Sequence, residues 1–175
     1  MAVRPIILAP DPMLKTRARP VRAVDDGVRG LMDDMVETMR ANNGIGLAAP
    51  QLGVLDRVVV VECAPRGTGS QPLRMANPEL VAVSPERVVS EEGCLSLPGH
   101  VGEVERARAV TVRYIDETGT KRSLDAEGLE AICVQHELDH LDGILFVDHL
   151  SPLRRNMILK KMVKARRERA RTGAA

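Results

Sequence analysis

Two histidines four residues apart, His136 and His140, constrain the fold of this chain more than any other feature of its sequence. In an α-helix they project from one face about one turn apart, so both imidazoles can reach one metal ion. Glu137, next to the first histidine, would then be placed to take a proton from a water on that metal. The alternative is an ordinary pair of core or surface histidines. The helix is supported by a shared face that consists of Leu129, Ile132, Cys133, His136 and His140.

A catalytic metal needs a third protein ligand, and the sequence just after the helix does not supply one. In one large class of zinc proteases a histidine follows the glycine by three residues, but that position after Gly143 is Phe146. Cys94, in the turn-rich segment EEGCLSLPG, is either the third ligand or a small buried hydrophobic residue. Two histidines and one cysteine would leave a fourth position open, as in catalytic sites. We also expect Glu92 to pair with Arg106 and brace the strand before Cys94.

A further segment of interest, GIGLAAPQ at residues 44–51, follows the first predicted helix. Its small residues allow the backbone to approach a ligand closely. Gln51 at its end offers amide N–H donors. The alternative is a glycine-rich turn with a surface glutamine.

The hydropathy pattern predicts one helix, then a series of short strands, then two helices. Asp25 or Asp26 can cap the first helix, and a stripe rich in methionine recurs along it at helical spacing. The turn at residues 117–119 joins the last two strands as a hairpin. Helices segregated from strands indicate an α+β fold rather than alternating β-α-β units. The expected elements are helices at 25–43 and about 126–141, strands at 58–61, 79–83, 87–91, 103–106, 109–115 and 120–124, and a final helix of about twenty residues from Ser151.

The net charge of +1 conceals an asymmetry between the body of the chain and its end. Residues 1–150 carry 16 Lys and Arg against 23 Asp and Glu, a net charge of −7. Residues 151–175 carry nine against one, a net charge of +8. Such a basic end either meets an anionic partner, most often nucleic acid, or only aids solubility.

Composition excludes several functional classes. Aromatic residues make up 1% of the 175 residues and tryptophan is absent, which excludes a platform that stacks nucleic-acid bases. No apolar run approaches the ~18–20 residues of a membrane helix. The three cysteines are too few and too far apart for a disulfide framework, which favours a reducing cytoplasm.

Three motifs, GIGLAAPQ (44–51), EGCLS (92–96) and QHELDHLDG (135–143), resemble in order and separation those of the peptide deformylases. The resemblance covers essentially the whole chain. It implies an α+β fold in which antiparallel sheets pack around a central HExxH helix, with an N-terminal and a C-terminal helix. It also implies a metal-dependent hydrolase that removes the formyl group from N-terminal formylmethionine of new polypeptides and releases formate.

The resemblance also assigns roles to individual residues. Cys94, His136 and His140 correspond to the ligands of one divalent ion per chain, with Fe²⁺ the physiological ion and Zn²⁺ the alternative. Glu137 corresponds to the general acid and base. The donors to the developing oxyanion correspond to Gln51 and the Leu95 N–H. The substrate contacts correspond to the Gly46 backbone and to a methionine pocket formed by Ile45, Leu129, Ile132 and Cys133.

The resemblance extends to domain organisation and partners. We expect residues 1–150 to form one deformylase-like catalytic domain, and residues 151–175 to add a basic C-terminal helix and tail to that same domain. The substrates implied are N-formylmethionyl peptides, the basic helix implies docking on the ribosome, and no membrane partner is implied. A broad peptidase is the alternative enzyme, which Phe146 and the Cys94 ligand disfavour. A catalytically silent, metal-stabilised module that binds ribosomes is the alternative outside enzymes, which Glu137 and Gln51 disfavour.

Overall fold

The structure, a computed structural model, describes residues 2–64 and 71–172. Its elements follow the predicted order of one helix, a series of strands and two further helices, which confirms the α+β class. In chain order they are α1 (Asp26–Ala41), β1 (Gly46–Ala48), β2 (Val58–Val61), β3 (Leu73–Val83), β4 (Arg87–Gly93), β5 (Val101–Ala107), β6 (Ala109–Ile115), β7 (Lys121–Glu127), α2 (Gly128–Leu141) and α3 (Pro152–Thr172). Short 3₁₀ helices lie at Pro12–Lys15, Ala49–Leu52 and Phe146–His149.

The strands form two antiparallel sheets in the described part of the chain. The larger sheet has the order β1-β2-β3-β6-β7, so β1 and β7 are its edges, and the smaller sheet is the β4–β5 pair. The predicted hairpin at residues 117–119 is confirmed by the antiparallel pairing of β6 with β7. Its turn is held by the Asp116 carboxylate, which accepts hydrogen bonds from the N–H groups of Thr118 at 2.9 Å and Thr120 at 3.0 Å.

Helix α1 packs its methionine stripe against the larger sheet. The helix is capped as predicted, because the Asp25 carboxylate accepts a hydrogen bond from the Val28 N–H at 2.9 Å. The stripe is core rather than surface: Met32, Met35 and Met39 are fully buried in one cluster with Val58 and Val60 of β2.

Helix α2 lies between the two sheets and contacts strands of both, which confirms the expected packing around the HExxH helix. Gln135 fixes α2 to β5, since its amide oxygen accepts from the Ala107 N–H at 3.1 Å. The amide nitrogen of Gln135 donates to the Ala107 carbonyl at 2.9 Å. Gln135 is buried, so these bonds satisfy polar atoms that would otherwise destabilise the core.

Two local features differ from the sequence-based expectations. The strand β1 and the first half of β3, residues 73–78, were not indicated by the hydropathy pattern. Helix α2 begins at Gly128 rather than near residue 126, because Ala126 and Glu127 still pair with β6. Gly128 then turns the chain into the helix with a φ of 57°, a conformation that favours glycine.

Helix α3 begins at Pro152, where the sequence predicts it, and one of its faces packs on the body. Ile158 and Met162 of this face are buried in a cluster that includes Phe146 and Leu14. The basic residues of α3 lie mostly on its exposed side. Among residues 2–64 and 71–172, no helix combines the length and the apolar composition that crossing a membrane requires.

Candidate active site

Three possible metal-binding side chains from two distant segments of the chain meet beside α2. Cys94 directly follows β4, and His136 and His140 project from α2. The Cys94 sulfur lies 3.2 Å from Nε2 of His140, and one donor atom from each of the three residues lies within 4.8 Å of the others. Both histidines are buried. The structure therefore brings together the three residues that the sequence offered as metal ligands.

A buried carboxylate fixes the orientation of His136. Oε2 of Glu92 lies 2.8 Å from Nδ1 of His136, which leaves Nε2 of that ring for another partner. Arg106 holds Glu92 in turn, because Nε donates to Oε1 at 2.8 Å and a second guanidinium nitrogen donates to Oε2 at 3.0 Å. The predicted Glu92–Arg106 pair is thus confirmed. Imidazoles that bind metals usually have such a partner on their other nitrogen.

The surroundings of Glu92 keep it ionised. Burial raises the pKa of Glu92, but the hydrogen bonds with His136 and Arg106 outweigh burial and lower that pKa to about 2. Arg106 is also 2.6 Å from the Asp139 carboxylate, which lies 2.7 Å from Nε2 of His149. A fixed negative charge therefore lies directly behind His136.

The donor set fits a divalent metal ion. Burial lowers the pKa of His140 well below its usual value, so its ring is neutral and can bind a cation. Burial acts in the same direction on His136, but the contacts with Cys94 and Glu92 outweigh it and raise the pKa of His136 well above its usual value. These groups therefore favour a positive charge at this point, which a metal cation would supply. Three protein ligands of this kind are typical of catalytic sites rather than structural ones.

Glu137 lies next to His136 in α2, and one of its carboxylate oxygens is available to a ligand. It is 4% exposed, and its Oε2 has no hydrogen-bond partner within residues 2–64 and 71–172. Burial raises the pKa of Glu137 to about 7, with His136 opposing the rise. A carboxyl that holds or releases a proton near neutral pH is suited to general acid–base chemistry. The Gly46 backbone approaches it closely, since a β-carbon there would lie 2.3 Å from Oε1 of Glu137.

Two hydrogen-bond donors lie next to Cys94. The Gln51 amide is held in place, because its oxygen accepts from the Ala48 N–H at 2.9 Å and its nitrogen donates to Oγ of Ser96 at 3.1 Å. The same nitrogen lies 3.5 Å from the Cys94 sulfur. The backbone N–H of Leu95 makes no hydrogen bond with any described residue, so it can serve a ligand.

These groups line a cleft of about 530 Å³ between β1 and the end of β4. Leu129 is 55% exposed, whereas Cys133 is 6% exposed, so the apolar wall runs from the surface inward. A group of possible metal ligands, a carboxyl that can exchange a proton near neutral pH and hydrogen-bond donors in one cleft are together suited to activate water for attack on an amide carbonyl. Every residue that the sequence placed in the site lines this cleft apart from His140, which lies behind it: Ile45, Gly46, Gln51, Cys94, Leu95, Leu129, Ile132, Cys133, His136 and Glu137.

Comparison with known proteins agrees with this geometry. A family model described as polypeptide deformylase matches residues 3–156. The chain belongs to the polypeptide deformylase family. The peptide deformylase of Rhizobium meliloti (strain 1021) is 47% identical over 97% of both chains, and that of Phenylobacterium zucineum (strain HLK1) is 51% identical over 94% of this chain and 97% of the relative. The crystal structure of the Ehrlichia chaffeensis deformylase in complex with actinonin has a TM-score of 0.90 at 39% identity, and covers 94% of this chain and 98% of that one.

The family that the three motifs implied is thus confirmed. As a member of this deformylase family, the chain is an enzyme, and it belongs to a family of metal-dependent hydrolases. Sequence reasoning missed two contacts of this deformylase site. One is the bond from Gln51 to Ser96, and the other is the contact of Glu92 with His136. A signal for the second contact was present, because Glu92 is two residues before Cys94 and side chains two apart on an extended strand face the same way.

Proposed function

We propose that this chain performs the reaction of its family with the residues of the cleft described above. As a deformylase it removes the formyl group from the N-terminal methionine of new polypeptides, which releases formate and a free α-amine. The observation that supports these residue roles is the meeting of Cys94, His136 and His140 in a cleft that also holds the Glu137 carboxyl.

We assign one divalent metal ion per chain to the Cys94 sulfur and to a ring nitrogen of each of His136 and His140. Fe²⁺ is the ion proposed for the cell, and Zn²⁺ suits the same sulfur and nitrogen donors. Such an ion supplies Lewis acidity, which polarises the formyl oxygen and lowers the pKa of water toward neutrality. The ionised Glu92 behind His136 supports a cation at this position.

Glu137 carries the proton in the proposed mechanism. Its carboxylate takes a proton from the attacking water and later gives it to the leaving amine, which suits a carboxyl with a pKa of about 7. As the formyl carbon becomes tetrahedral, its oxygen becomes anionic. The Gln51 amide and the free Leu95 N–H donate hydrogen bonds to that oxygen. The loss of one such donor typically lowers the rate by ~10²–10³.

The substrate backbone is proposed to pair with β1. This strand is an edge of the larger sheet and lines the cleft, so an extended peptide can add to it through main-chain hydrogen bonds. Gly46 has no side chain to obstruct that approach. The first side chain of the peptide would then meet an apolar wall that suits unbranched methionine, formed by Ile45, Leu129, Ile132 and Cys133.

The test is formate release from formyl-Met-Ala-Ser by freshly purified, anaerobically handled protein, with metal content measured on the same sample. We expect rapid release that a chelator abolishes and that added Fe²⁺ restores. Acetyl-Met-Ala-Ser is the matched substrate control and should not be hydrolysed at a comparable rate. The variant Glu137→Ala should keep its metal and lose turnover.

Three outcomes would contradict the proposal. Near-normal turnover by Glu137→Ala would remove that residue from the mechanism. Cleavage of internal peptide bonds would indicate a broad peptidase. An absence of formate release from protein shown to be fully loaded with iron would favour a metal-stabilised binding module instead.

We further propose that α3 is part of the same domain as residues 1–150 and docks on the ribosome in the cytoplasm. The first part is supported by the burial of Ile158 and Met162, and by the ion pair of Arg155 with Asp148 at 3.1 Å. The second part is supported by the net charge of +8 over residues 151–175. Phosphates of ribosomal RNA would bind this basic helix, and the affinity would fall steeply as the salt concentration rises.

Co-sedimentation with ribosomes at two salt concentrations tests the docking proposal. The double variant Lys161→Glu with Arg167→Glu should lose binding and its dependence on salt. The matched control, Arg22→Glu with Arg87→Glu, makes the same change of charge on exposed arginines of the body and should bind as the natural chain does. Equal binding by both double variants would overturn the docking proposal and leave the deformylase activity untouched.

A further inference from the structure

Two cysteines whose thiols take no part in the proposed chemical steps pack in one cluster, and Cys133 of this pair also lines the cleft. Cys63 follows β2, and Cys133 lies in α2 one turn before Glu137. The Cys63 sulfur is 4.0 Å from the carbonyl oxygen of Leu129, which is one helical turn before Cys133. The Cys133 thiol points to the carbonyl oxygen of Ile45 at 3.5 Å. Cys63 also packs against the buried cluster to which Cys133 belongs.

The ends of β1 and β2 hold this contact in place. The N–H of Glu62, the residue before Cys63, donates to the Ile45 carbonyl at 2.7 Å. The Cys133 thiol shares that same oxygen. One carbonyl therefore anchors both the β2 end that carries Cys63 and the helix turn that carries Cys133. Because both segments are held by this carbonyl and Cys63 also contacts Leu129, the packed backbone keeps the two sulfurs close together.

We propose that Cys63 and Cys133 form a redox modification site, at which a peroxide converts the two thiols into a disulfide beside the substrate cleft. The half-buried Cys63 is the thiol that an oxidant reaches, whereas Cys133 is 6% exposed. In the first step Cys63 attacks hydrogen peroxide, an S–O bond forms, the O–O bond breaks, and water leaves. In the second step Cys133 attacks the sulfenic sulfur, an S–S bond forms and a second water leaves. Two thiols and one peroxide thus give one disulfide and two waters.

The electrostatics agree with this division of roles. The hydrogen bond with Cys133 lowers the pKa of the Cys63 thiol, although burial raises it. The same contact, together with burial, raises the pKa of Cys133 well above its usual value. The thiolate is the reactive form, so Cys63 is suited to attack the oxidant first and Cys133 to resolve the intermediate.

Disulfide formation would alter the apolar wall of the cleft. An effect on substrate binding is expected because the proposed function places the substrate methionine against that wall, so this expectation rests on the proposed function. The Cys133 sulfur would move toward Cys63 and lose its hydrogen bond to the Ile45 carbonyl. Ile45 precedes Gly46, the residue proposed to hold the substrate backbone. We therefore expect KM for formyl-Met-Ala-Ser to rise about fivefold, the effect of one lost hydrogen bond. The value of kcat should change less, because neither sulfur contacts the reacting atoms.

The experiment treats zinc-loaded full-length protein with hydrogen peroxide and maps the cysteines by mass spectrometry after tryptic digestion without reductant. Zinc engages the Cys94 sulfur and avoids iron-driven oxidation. Trypsin separates the three cysteines, because Arg87 and Arg106 lie between them. We expect a linked Cys63–Cys133 peptide pair that lacks two hydrogens, that disappears with dithiothreitol, and that forms together with the rise in KM. The variant Cys63→Ser should show neither the link nor the rise.

Three results would overturn the proposal. The first is a protein in which Cys63 remains a thiol or proceeds to sulfinic acid with no linked peptide. The second is a link that joins Cys94 to either of the other cysteines. The third is a rise in KM that persists in both Cys63→Ser and Cys63→Ala. The linked peptide is detected by mass, so the modification site and the deformylase reaction can fail independently of each other.

Discussion

Replacing Gly46 by alanine tests the geometry around Glu137. Gly46 does not have a left-handed φ, so alanine can adopt its backbone. The new β-carbon would lie 2.3 Å from Oε1 of Glu137 and 2.8 Å from the Cys133 sulfur, against at least 3.4 Å for an ordinary contact. The β1 backbone is paired with β2 at Gly46 and Val61, so the side chains must give way. The Glu137 carboxylate therefore shifts by about 1 Å, a misplacement that costs about 10²-fold in rate.

Steady-state formate release from formyl-Met-Ala-Ser measures this effect. The kcat of Gly46→Ala should fall about 100-fold. Metal content should not change, because neither atom that meets the new β-carbon belongs to a proposed ligand. The control is Gly30→Ala in α1, where a β-carbon meets nothing within 4 Å. It should keep the natural kcat and gain slightly in thermal stability, since alanine favours a helix. A kcat for Gly46→Ala within about twofold of the natural value would show that Glu137 need not be held in this position to carry the proton.

Three further predictions concern the donors and the ion pairs. The variant Gln51→Leu should lower kcat by ~10²–10³ with metal content unchanged, and loss of metal would instead make Gln51 a support of the metal site. The variant Arg106→Leu removes the guanidinium partner of the buried Glu92 charge, so urea unfolding should show a loss of about 3–5 kcal/mol, and a loss near zero would contradict the pairing. Burial raises the pKa of Asp148, but the contact with Lys15 outweighs it and holds the pKa below the usual 3.8. Asp148→Asn should therefore be less stable than the natural chain at neutral pH, and the difference should shrink as the pH falls through the lowered pKa of Asp148, as measured by urea unfolding at each pH.

The helices were predictable because helical spacing is a local property. Apolar residues at helical spacing indicated α1, and the histidine spacing in α2 placed two possible ligands on one face. The strands were harder to predict, because a strand depends on its neighbour. The segment 73–78 contains Arg74 and Pro78 and has no alternating pattern, yet pairing with β2 makes residues 73–76 extended. The three residues of β1 are too few to show a period at all.

The motifs indicated which residues meet in the candidate site, but they were less informative about the residues that orient them. A motif shows which groups are present, but not which side chain meets which across a large sequence separation. Glu92 and His136 are 44 residues apart, and their contact depends on how the β4–β5 sheet lies against α2. The Ser96 hydroxyl is likewise an anchor for Gln51 only because the 3₁₀ helix Ala49–Leu52 packs against the turn that follows β4.

The proposed metal site lies where the smaller sheet meets α2. Glu92 lies in β4 of that sheet and Cys94 directly follows the strand, whereas His136 and His140 come from α2. An ion bound there acts as a cross-link, so its binding energy contributes to holding the smaller sheet on the helix. Loading should therefore slow hydrogen exchange at the amides of β4 and β5 more than at those of α1. All three proposed ligands are present only once residue 140 has left the ribosome, so an ion could bind there only after the strands of both sheets have been synthesised.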